Sequence, residues 1–213
     1  MGDIHGRAGN AVRIPGVGIA QGLILSGDIT THGSLDDARR VMDELRVANP
    51  RVLAQIGNMD STAISGWLEQ EGLNIHAEAR ELAPGVGLIG VGWSSPTPFA
   101  TPCEVPDATI GNWLDAVHDR AEDWEQLLLV VHTPPYGTRA DDLGGGHHVG
   151  SPAVRAFIER VQPVACLTGH IHEARSQDLL GRTSVVNPGM LDHGGYALIQ
   201  LRDGQLSIEL KTL

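Results

Sequence analysis

The chain has 213 residues, of which 41% are hydrophobic and 19% are charged, and this composition indicates one soluble globular domain with a sizeable core. A net charge of −11 argues against nucleic-acid binding through a basic surface, so an anionic ligand would need local positive charge. No apolar run approaches the about 18–20 residues of a membrane helix. No secretory signal opens the chain, and the two cysteines, Cys103 and Cys166, lie far apart, which together favour a cytoplasmic location.

Short apolar runs that end in a glycine and a polar residue, or directly in histidine, alternate with helical stretches through most of the chain. The runs are GLILSGD, RVLAQIGN, LLLVVH and VACLTGH, which end at Asp28, Asn58, His132 and His170. Their length and their content of Leu, Val and Ile are typical of buried strands. We therefore predict four strands that each present a polar side chain at the carboxyl end.

Helices are predicted between these strands. One follows Ser34, a good N-cap, and the others cover 62–72, 109–126 and 152–162. Ser151 is the expected N-cap of the last, with proline at the first helical position. The C-terminal runs RTSVVN, YALIQL and QLSIEL are strand-like, and the Asp-Gly of RDGQ predicts a hairpin turn. This order predicts a layered α/β protein with mixed sheets.

The polar residues at the four strand ends form a set with three further residues. With Asp3, His5 and His172 there are two carboxylates, one amide and four imidazoles. Oxygen and imidazole ligands without thiolates suit Mn²⁺, Fe or Zn²⁺. Seven ligands exceed the needs of one ion and suit two ions roughly 3.5–4 Å apart that share one carboxylate. Each motif alone also fits a solvated tail, a helix cap or a structural histidine; the ordered combination favours a metal centre.

Five segments carry a family resemblance. GDIHG, SGDIT, GNMD, VVHTPP and GHIHE resemble, in this order, the motifs of the calcineurin-like metallophosphoesterase superfamily. GWSSPTPFATP, HTPPYGT, HVGS and VVNPG are similar to its compact prokaryotic branch, which is related to cyclic-AMP phosphodiesterases. The resemblance implies a four-layer α/β/β/α sandwich of two mixed β-sheets flanked by helices. It also implies that residues 1–213 form a single domain without a separate cap.

The resemblance further implies a ligand set for each of two divalent ions, with manganese favoured over iron or zinc. One ion would be held by Asp3, His5, Asp28 and His172, and the other by Asp28, Asn58, His132 and His170. Asp28 would bridge the two ions. Asp28, Asn58 and His132 would act in catalysis through a metal-bound hydroxide that attacks phosphorus in line.

The implied function is hydrolysis of a small phosphate ester, with a phosphodiesterase favoured. Two alternatives stay open. The chain could be a binding or scaffold protein of the same fold with little or no catalysis, because fold alone does not settle function. It could also be a phosphomonoesterase or nucleotidase. No membrane partner is expected, and a homo-oligomer stays open.

The third motif departs from the family pattern. Met59 stands where many members have a histidine near the leaving group, and a thioether cannot donate a proton. We therefore expect a preference for esters with good leaving groups, such as aryl phosphodiesters. His147 or His148, on a glycine-rich loop, would replace the missing acid, unless the pair is simply solvated. Asp60 has an alternative structural interpretation as N-cap of the next helix.

Weaker candidates for substrate contact lie near the motifs. Arg7 follows GDIHG and would bind a substrate phosphate, the alternative being a surface arginine. His32 follows Asp28 by four residues. Trp93 and Phe99 would stack on a base or aryl group, although packing is the more usual role of such residues.

The first motif has little chain before it. Family members carry a strand of roughly five to eight residues ahead of this motif, a usual strand length, and here Met1 and Gly2 alone precede Asp3. We hypothesise that the native first strand is missing, through a misplaced start or a truncation, or that a natural variant has a gap in its sheet. Asp3 would then lie on a frayed terminus, and the first ion would be the weaker one.

Overall fold

The computed structural model describes residues 1–121 and 124–213, and this part contains four α-helices and ten strands. The helices are α1 (Leu35–Ala48), α2 (Thr62–Gln70), α3 (Asp107–His118) and α4 (Pro152–Val161). The strands are β1 (Leu23–Leu25), β2 (Val52–Ala54), β3 (Glu78–Ala83), β4 (Val86–Val91), β5 (Gln126–Val131), β6 (Ala165–Leu167), β7 (Ser176–Leu180), β8 (Thr183–Asn187), β9 (Gly195–Arg202) and β10 (Gln205–Thr212).

The largest sheet has six strands in the order β3-β4-β5-β6-β8-β7. The four central strands are parallel, and the two edge strands are antiparallel to their neighbours. A parallel pair, β1 and β2, and an antiparallel hairpin, β9 and β10, lie apart from it. Asp203 and Gly204 join the hairpin with φ values of 50° and 75°, as the predicted two-residue turn requires.

The strands of the six-stranded sheet bury both faces. Leu129 and Val131 of β5 pack with Ile110 of α3 and Phe157 of α4. Their neighbours Leu128 and Val130 point to the other face and pack in one cluster with residues of β9 and β10. Helices α1 and α2 pack in a further core with β1 and β2. The α/β/β/α layering expected from the resemblance is therefore confirmed.

The helix N-caps predicted from the sequence are confirmed for α1 and α4. Ser34 caps α1 in a reciprocal capping box with Asp37, and Ser151 caps α4 by accepting from the backbone N–H of Val154. The prediction of a helix over 109–126 is wrong at its end, because α3 stops at His118 and Gln126 already begins β5. Glu122 and Asp123 of that prediction lie outside the described residues. The edge strands β3 and β7 were not predicted from the sequence, because these partly exposed strands lack a continuous apolar run.

The expected second sheet is divided into the two strand pairs, with the first residues of the chain beside them. The backbone N–H of Ser26 donates to the carbonyl of Met1 (3.0 Å), and the terminal amine of Met1 donates to the carbonyl of Ile24 (2.8 Å). Met1 thus pairs with β1 as a parallel strand would, and Gly2 forms a bridge with Met190. A groove of about 800 Å³, lined by residues 23–24 and 196–200 among others, separates β1 from β9.

This pairing bears on the expected frayed terminus. Met1 is 7% exposed, and Asp3 is fully buried with its backbone N–H donating to the carbonyl of Gly27. The expectation that Asp3 lies on a frayed end is therefore wrong. Within the described ranges, no helix has the length and apolar character needed to cross a membrane.

Candidate metal centre

Loops after four strands carry the predicted ligands to one end of the sandwich. Asp28 follows β1 and Asn58 follows β2, while His132 directly follows β5 and His170 follows β6. Both pairs of strands are parallel, and the carboxyl ends of parallel strands meet at one edge, where ligand sites of α/β proteins form. The two layers of the sandwich thus each contribute two ligands.

The first group of ligand atoms belongs to Asp3, His5, Asp28 and His172, and these atoms all lie within 4.8 Å of one another. The Nε2 atoms of His5 and His172 are 2.9 Å apart. His5 Nε2 is 3.7 Å from Asp28 Oδ2, and His172 Nε2 is 3.5 Å from Asp3 Oδ1. This group contains the same residues that the resemblance implies for one ion.

The second group gathers around the side-chain oxygen of Asn58. That oxygen lies 3.0 Å from His132 Nε2 and 2.7 Å from His170 Nδ1. His132 Nε2 is also 3.4 Å from Asp28 Oδ2, the same oxygen that faces His5. The carboxylate of Asp28 therefore lies between the two groups.

The backbone at the ligands is strained. Asp3, His5, Asp28 and His170 have φ values of 50°, 48°, 50° and 70°, in the left-handed region that residues with a side chain rarely adopt. Such strain clusters at functional sites, where the surrounding structure holds it in place. A Cβ on Gly57 would lie 2.1 Å from Asp28 Oδ1, so the motif glycine is required by close packing against the shared carboxylate.

Outer contacts orient the imidazoles. His132 Nδ1 lies 3.1 Å from the carbonyl oxygen of Ser26, which can only accept, so Nδ1 carries a proton and Nε2 faces the ligand groups. His5 Nδ1 lies 2.9 Å from Thr31 Oγ1. The backbone N–H of Met59 donates to Asp28 Oδ1, which leaves Oδ2 directed at the histidines. Contacts of this kind are common around metal ligands.

Burial and mutual charge shift the pKa values of the group in opposite directions. Burial alone would raise the pKa of Asp3, but its hydrogen bond with His172 and the nearby imidazoles lower it to about 2. Burial alone would lower the pKa of His132, but the adjacent Asp28 carboxylate raises it to about 9. Burial and the proximity of His132 lower the pKa of His170 to about 4. Asp3 and Asp28 are therefore ionised and His170 is neutral at neutral pH, and these are the forms that ligate a cation.

The donor set fits a divalent cation. Asp3 Oδ2 is buried without a hydrogen-bond partner, and the oxygen of Asn58 faces two imidazole nitrogens. A buried acceptor without a donor is costly, and a bound cation would satisfy it. Nitrogen and oxygen ligands of this kind are used for manganese, iron and zinc.

Asp60 has a role that the sequence did not indicate. Its fully buried carboxylate accepts from the backbone N–H groups of Ile29, Thr30 and Gly57 at 2.8–3.0 Å. Ser61, not Asp60, is the N-cap of α2, so the helix-cap interpretation is wrong. Asp60 instead joins the two loops that carry Asp28 and Asn58, and burial and the Asp28 charge raise its pKa to about 6.

The residues predicted to contact substrate, Arg7 and His32, make contacts to residues outside the ligand set. Arg7 forms an exposed ion pair with Asp192 at 2.7 Å. His32 is exposed, and its backbone N–H donates to the carbonyl of Met59.

The two histidines of the glycine-rich loop, His147 and His148, make their hydrogen bonds away from the ligand residues. His148 Nδ1 lies 2.8 Å from buried Asp141, and His147 is exposed. The hydrogen bonds of residues 1–121 and 124–213 join neither of these histidines to a ligand. Their predicted action as the replacement acid is therefore not supported by contacts.

Comparisons with known proteins agree with this geometry. Residues 109–213 match the family model described as metallophosphoesterase, calcineurin superfamily. The chain is 36% identical over 190 residues to the uncharacterized protein MJ1162 of Methanocaldococcus jannaschii, covering 87% of this chain and 84% of that one. It is 26% identical over 210 residues to the UPF0046 protein K07C11.7 of Caenorhabditis elegans, covering 90% of this chain and 69% of the relative.

A solved structure extends the similarity to the whole fold. The crystal structure of TT1561 of Thermus thermophilus superposes with a TM-score of 0.73 at 20% identity, covering 98% of this chain and 96% of the other. At this identity the likeness concerns the fold. The ordered motifs, the ligand groups and the sequence relatives together show that the chain belongs to the calcineurin superfamily of metallophosphoesterases.

Proposed function

We propose that this protein is a phosphodiesterase that uses two divalent ions, with manganese favoured, to hydrolyse a small phosphodiester. The observation that carries the proposal is the position of Asp28. Its Oδ2 atom lies 3.7 Å from His5 and 3.4 Å from His132, so one carboxylate reaches both ligand groups. One carboxylate that reaches both groups can serve two ions about 3.5–4 Å apart, the separation that two-metal hydrolases of phosphate esters use.

Each ligand group would hold one ion. Asp3, His5 and His172 complete the first group around Asp28, and Asn58, His132 and His170 complete the second. When bound, the ions supply a water of lowered pKa as nucleophile and positive charge for the phosphate oxygens. This local charge explains how a chain of net charge −11 would bind an anion.

The residues of the chain set the limits of the reaction. Met59 follows Asn58 and has no proton to donate, so the leaving group would depart without help from this position. The preference for diesters with a good leaving group follows from this residue. A monoesterase or a scaffold on the same fold is the alternative outcome of the test below.

The test is hydrolysis of a chromogenic aryl phosphodiester with added Mn²⁺ by the wild type and by Asp28→Ala. We expect the substitution to lower kcat/KM by more than about 100-fold, because loss of an outer contact to a metal ligand alone costs 10–100-fold. Asp36→Ala, at an exposed position of α1, is the matched control and should leave the rate unchanged.

The same assay separates the alternatives. Equal rates in wild type and Asp28→Ala would contradict the metal mechanism. A wild type that binds Mn²⁺ but hydrolyses neither diesters nor monoesters would indicate the scaffold. Faster hydrolysis of the aryl monoester than of the diester would indicate the monoesterase.

A further inference from the structure

The loop between β4 and α3 contacts the second ligand group. The side-chain amide nitrogen of Asn58 donates to Thr101 Oγ1 at 2.8 Å. The same hydroxyl donates to Glu104 Oε1 at 2.5 Å. The backbone joins the same loop to Asn58, because the N–H of Cys103 donates to the Asn58 carbonyl at 3.0 Å. A continuous chain of hydrogen bonds thus runs from Glu104 through Thr101 to the ligand.

Glu104 is a fixed acceptor at the end of this chain. Its Oε1 accepts from the Thr97 hydroxyl at 2.6 Å and from the backbone N–H of Thr101 at 2.8 Å, in addition to the Thr101 hydroxyl. Burial would raise the pKa of Glu104, but the hydrogen bonds from Thr101 and Thr97 lower it to about 2. The carboxylate therefore carries no proton at neutral pH and can only accept.

The direction of the hydrogen bonds decides which end of the Asn58 amide faces the metal centre. The single proton of the Thr101 hydroxyl is used by Glu104, so its oxygen is left to accept. It accepts well from the NH₂ group of Asn58, whereas a flipped amide would bring two acceptors together. The amide oxygen is thereby turned toward His132 and His170, and only that oxygen can ligate a cation.

We propose that Thr101 and Glu104 are positioning residues that hold the amide oxygen of Asn58 toward the second ion. This inference rests on the proposed function, because it assigns the two residues to the second ion of that centre. Neither residue belongs to the ligand set, and both lie more than 40 positions from Asn58 in the chain.

The first experiment measures Mn²⁺ affinity without substrate, by titration of the metal-free protein. We expect Thr101→Val, which keeps the shape and removes the hydroxyl, to raise the Kd of one Mn²⁺ by about 10–100-fold. The other Kd should change by less than about twofold. Thr101→Ser restores the hydroxyl and should bind both ions as the wild type does.

A control separates orientation from loop stability. Thr97→Val removes another hydroxyl donor to Glu104 without touching Asn58, so it should weaken the second ion less than Thr101→Val does. Circular dichroism and thermal unfolding of each variant verify that the fold is retained. Equal effects of Thr97→Val and Thr101→Val on the second Kd would overturn the specific role of Thr101.

A second background tests the orientation itself. Asn58→Asp replaces the amide by a carboxylate, whose two oxygens are equivalent, so no wrong orientation exists. In this background we expect Thr101→Val to leave the second Kd unchanged or to lower it. An undiminished 10–100-fold loss when Thr101→Val is combined with Asn58→Asp would contradict an orienting role.

The titration of the wild type separates failure of the positioning role from failure of the proposed function. A wild type that binds no pair of ions would overturn the metal centre before any variant is compared. A wild type that binds two ions, with Thr101→Val binding both equally well, would overturn only the positioning role.

Discussion

Asp28 is the residue that the two ligand groups share. It is 2% exposed, its φ is 50°, and its carboxylate is held by the backbone N–H of Met59 on one side and faces His5 and His132 on the other. A buried charge without a partner is unfavourable. The negative charge of Asp28 is therefore compensated by the neighbouring imidazoles or by bound cations. Among the candidate ligands, the Asp28 side chain alone therefore contributes to both candidate cation sites.

Met59 leads to a prediction about leaving groups. We expect Met59→His to increase hydrolysis of alkyl phosphodiesters by about 100-fold relative to aryl phosphodiesters, the low end for a general acid, because a general acid helps a poor leaving group most. The measurement is kcat/KM for a matched pair of alkyl and aryl diesters in both proteins. An equal change for the two substrates would show that the missing acid does not limit the rate.

His132 leads to a prediction about pH. Burial opposes its protonation, but Asp28 raises its pKa to about 9, so below pH 9 the metal-free site holds a proton that a metal ion must displace. We expect the Mn²⁺ affinity of the second ligand group, which contains His132, to rise about tenfold per pH unit between pH 6 and 8 for one displaced proton.

Titration calorimetry in buffers of different ionisation enthalpy counts the released protons. Asp3, with a pKa of about 2, is already ionised throughout this window. Burial opposes protonation of His172, but its hydrogen bond with Asp3 raises its pKa, so the first ligand group would release a proton of its own. An affinity that does not change between pH 6 and 8 would contradict the assignment of a displaced proton to His132.

Hydrogen bonds to Asp107 join the N-terminal ends of α3 and α4. Ser151 is fully buried at the start of α4, where it accepts from the backbone N–H of Val154 at 3.0 Å and its hydroxyl donates to Asp107 at the start of α3. Asp107 also accepts from the backbone N–H of Ala153 at 3.0 Å. The cap therefore adds a polar contact to the apolar packing between the two helices that cover the six-stranded sheet.

We expect Ser151→Ala to lower the free energy of unfolding by about 2 kcal/mol, since it removes a cap and leaves the Asp107 carboxylate short of a donor. Ser34→Ala, at the exposed cap of α1, is the matched control and should cost only about 1 kcal/mol. Urea unfolding measures both values. Equal costs for the two substitutions would show that the contact to Asp107 contributes little.

The two β layers meet at the candidate metal centre. Asp28 and Asn58 belong to the layer of β1 and β2, whereas His132 and His170 belong to the six-stranded sheet. Ions held by both groups would connect the layers, in addition to the apolar cluster between them and the hydrogen bonds that the Gln55 amide donates to the carbonyls of Val91 and Val130. Metal occupancy should therefore affect the stability of the folded protein.

We expect removal of metal by a chelator to lower the melting temperature by about 5–10 °C relative to protein with saturating Mn²⁺. An ion present at 100 times its Kd stabilises the folded state by about 2.7 kcal/mol, and a domain of this size shifts by about 2–4 °C per kcal/mol. Differential scanning calorimetry with and without chelator measures the change. Asp28→Ala should show almost no chelator effect, and a shift as large as that of wild type would contradict a site centred on Asp28.

The sequence alone predicted the seven candidate ligands that the structure brings together, because each lies in a short motif of glycine and polar residues, most of them directly after an apolar run. It also identified the layered α/β fold and most helix starts, since caps and strand patterns are local. The end of α3 was missed because the helical pattern of the sequence continues past His118. The edge strands β3 and β7 were missed because they lack a continuous apolar run.

The tertiary structure alone decided how these residues combine. It brought Asp60 against the loop of Ile29 and Thr30, paired Arg7 with Asp192, and joined the amide of Asn58 to the hydroxyl of Thr101. It also showed that the motif at Asp3 is buried and paired with β1. The partners in these contacts lie 23 to 185 positions apart, so their geometry depends on the packing of distant loops and leaves no trace in local sequence.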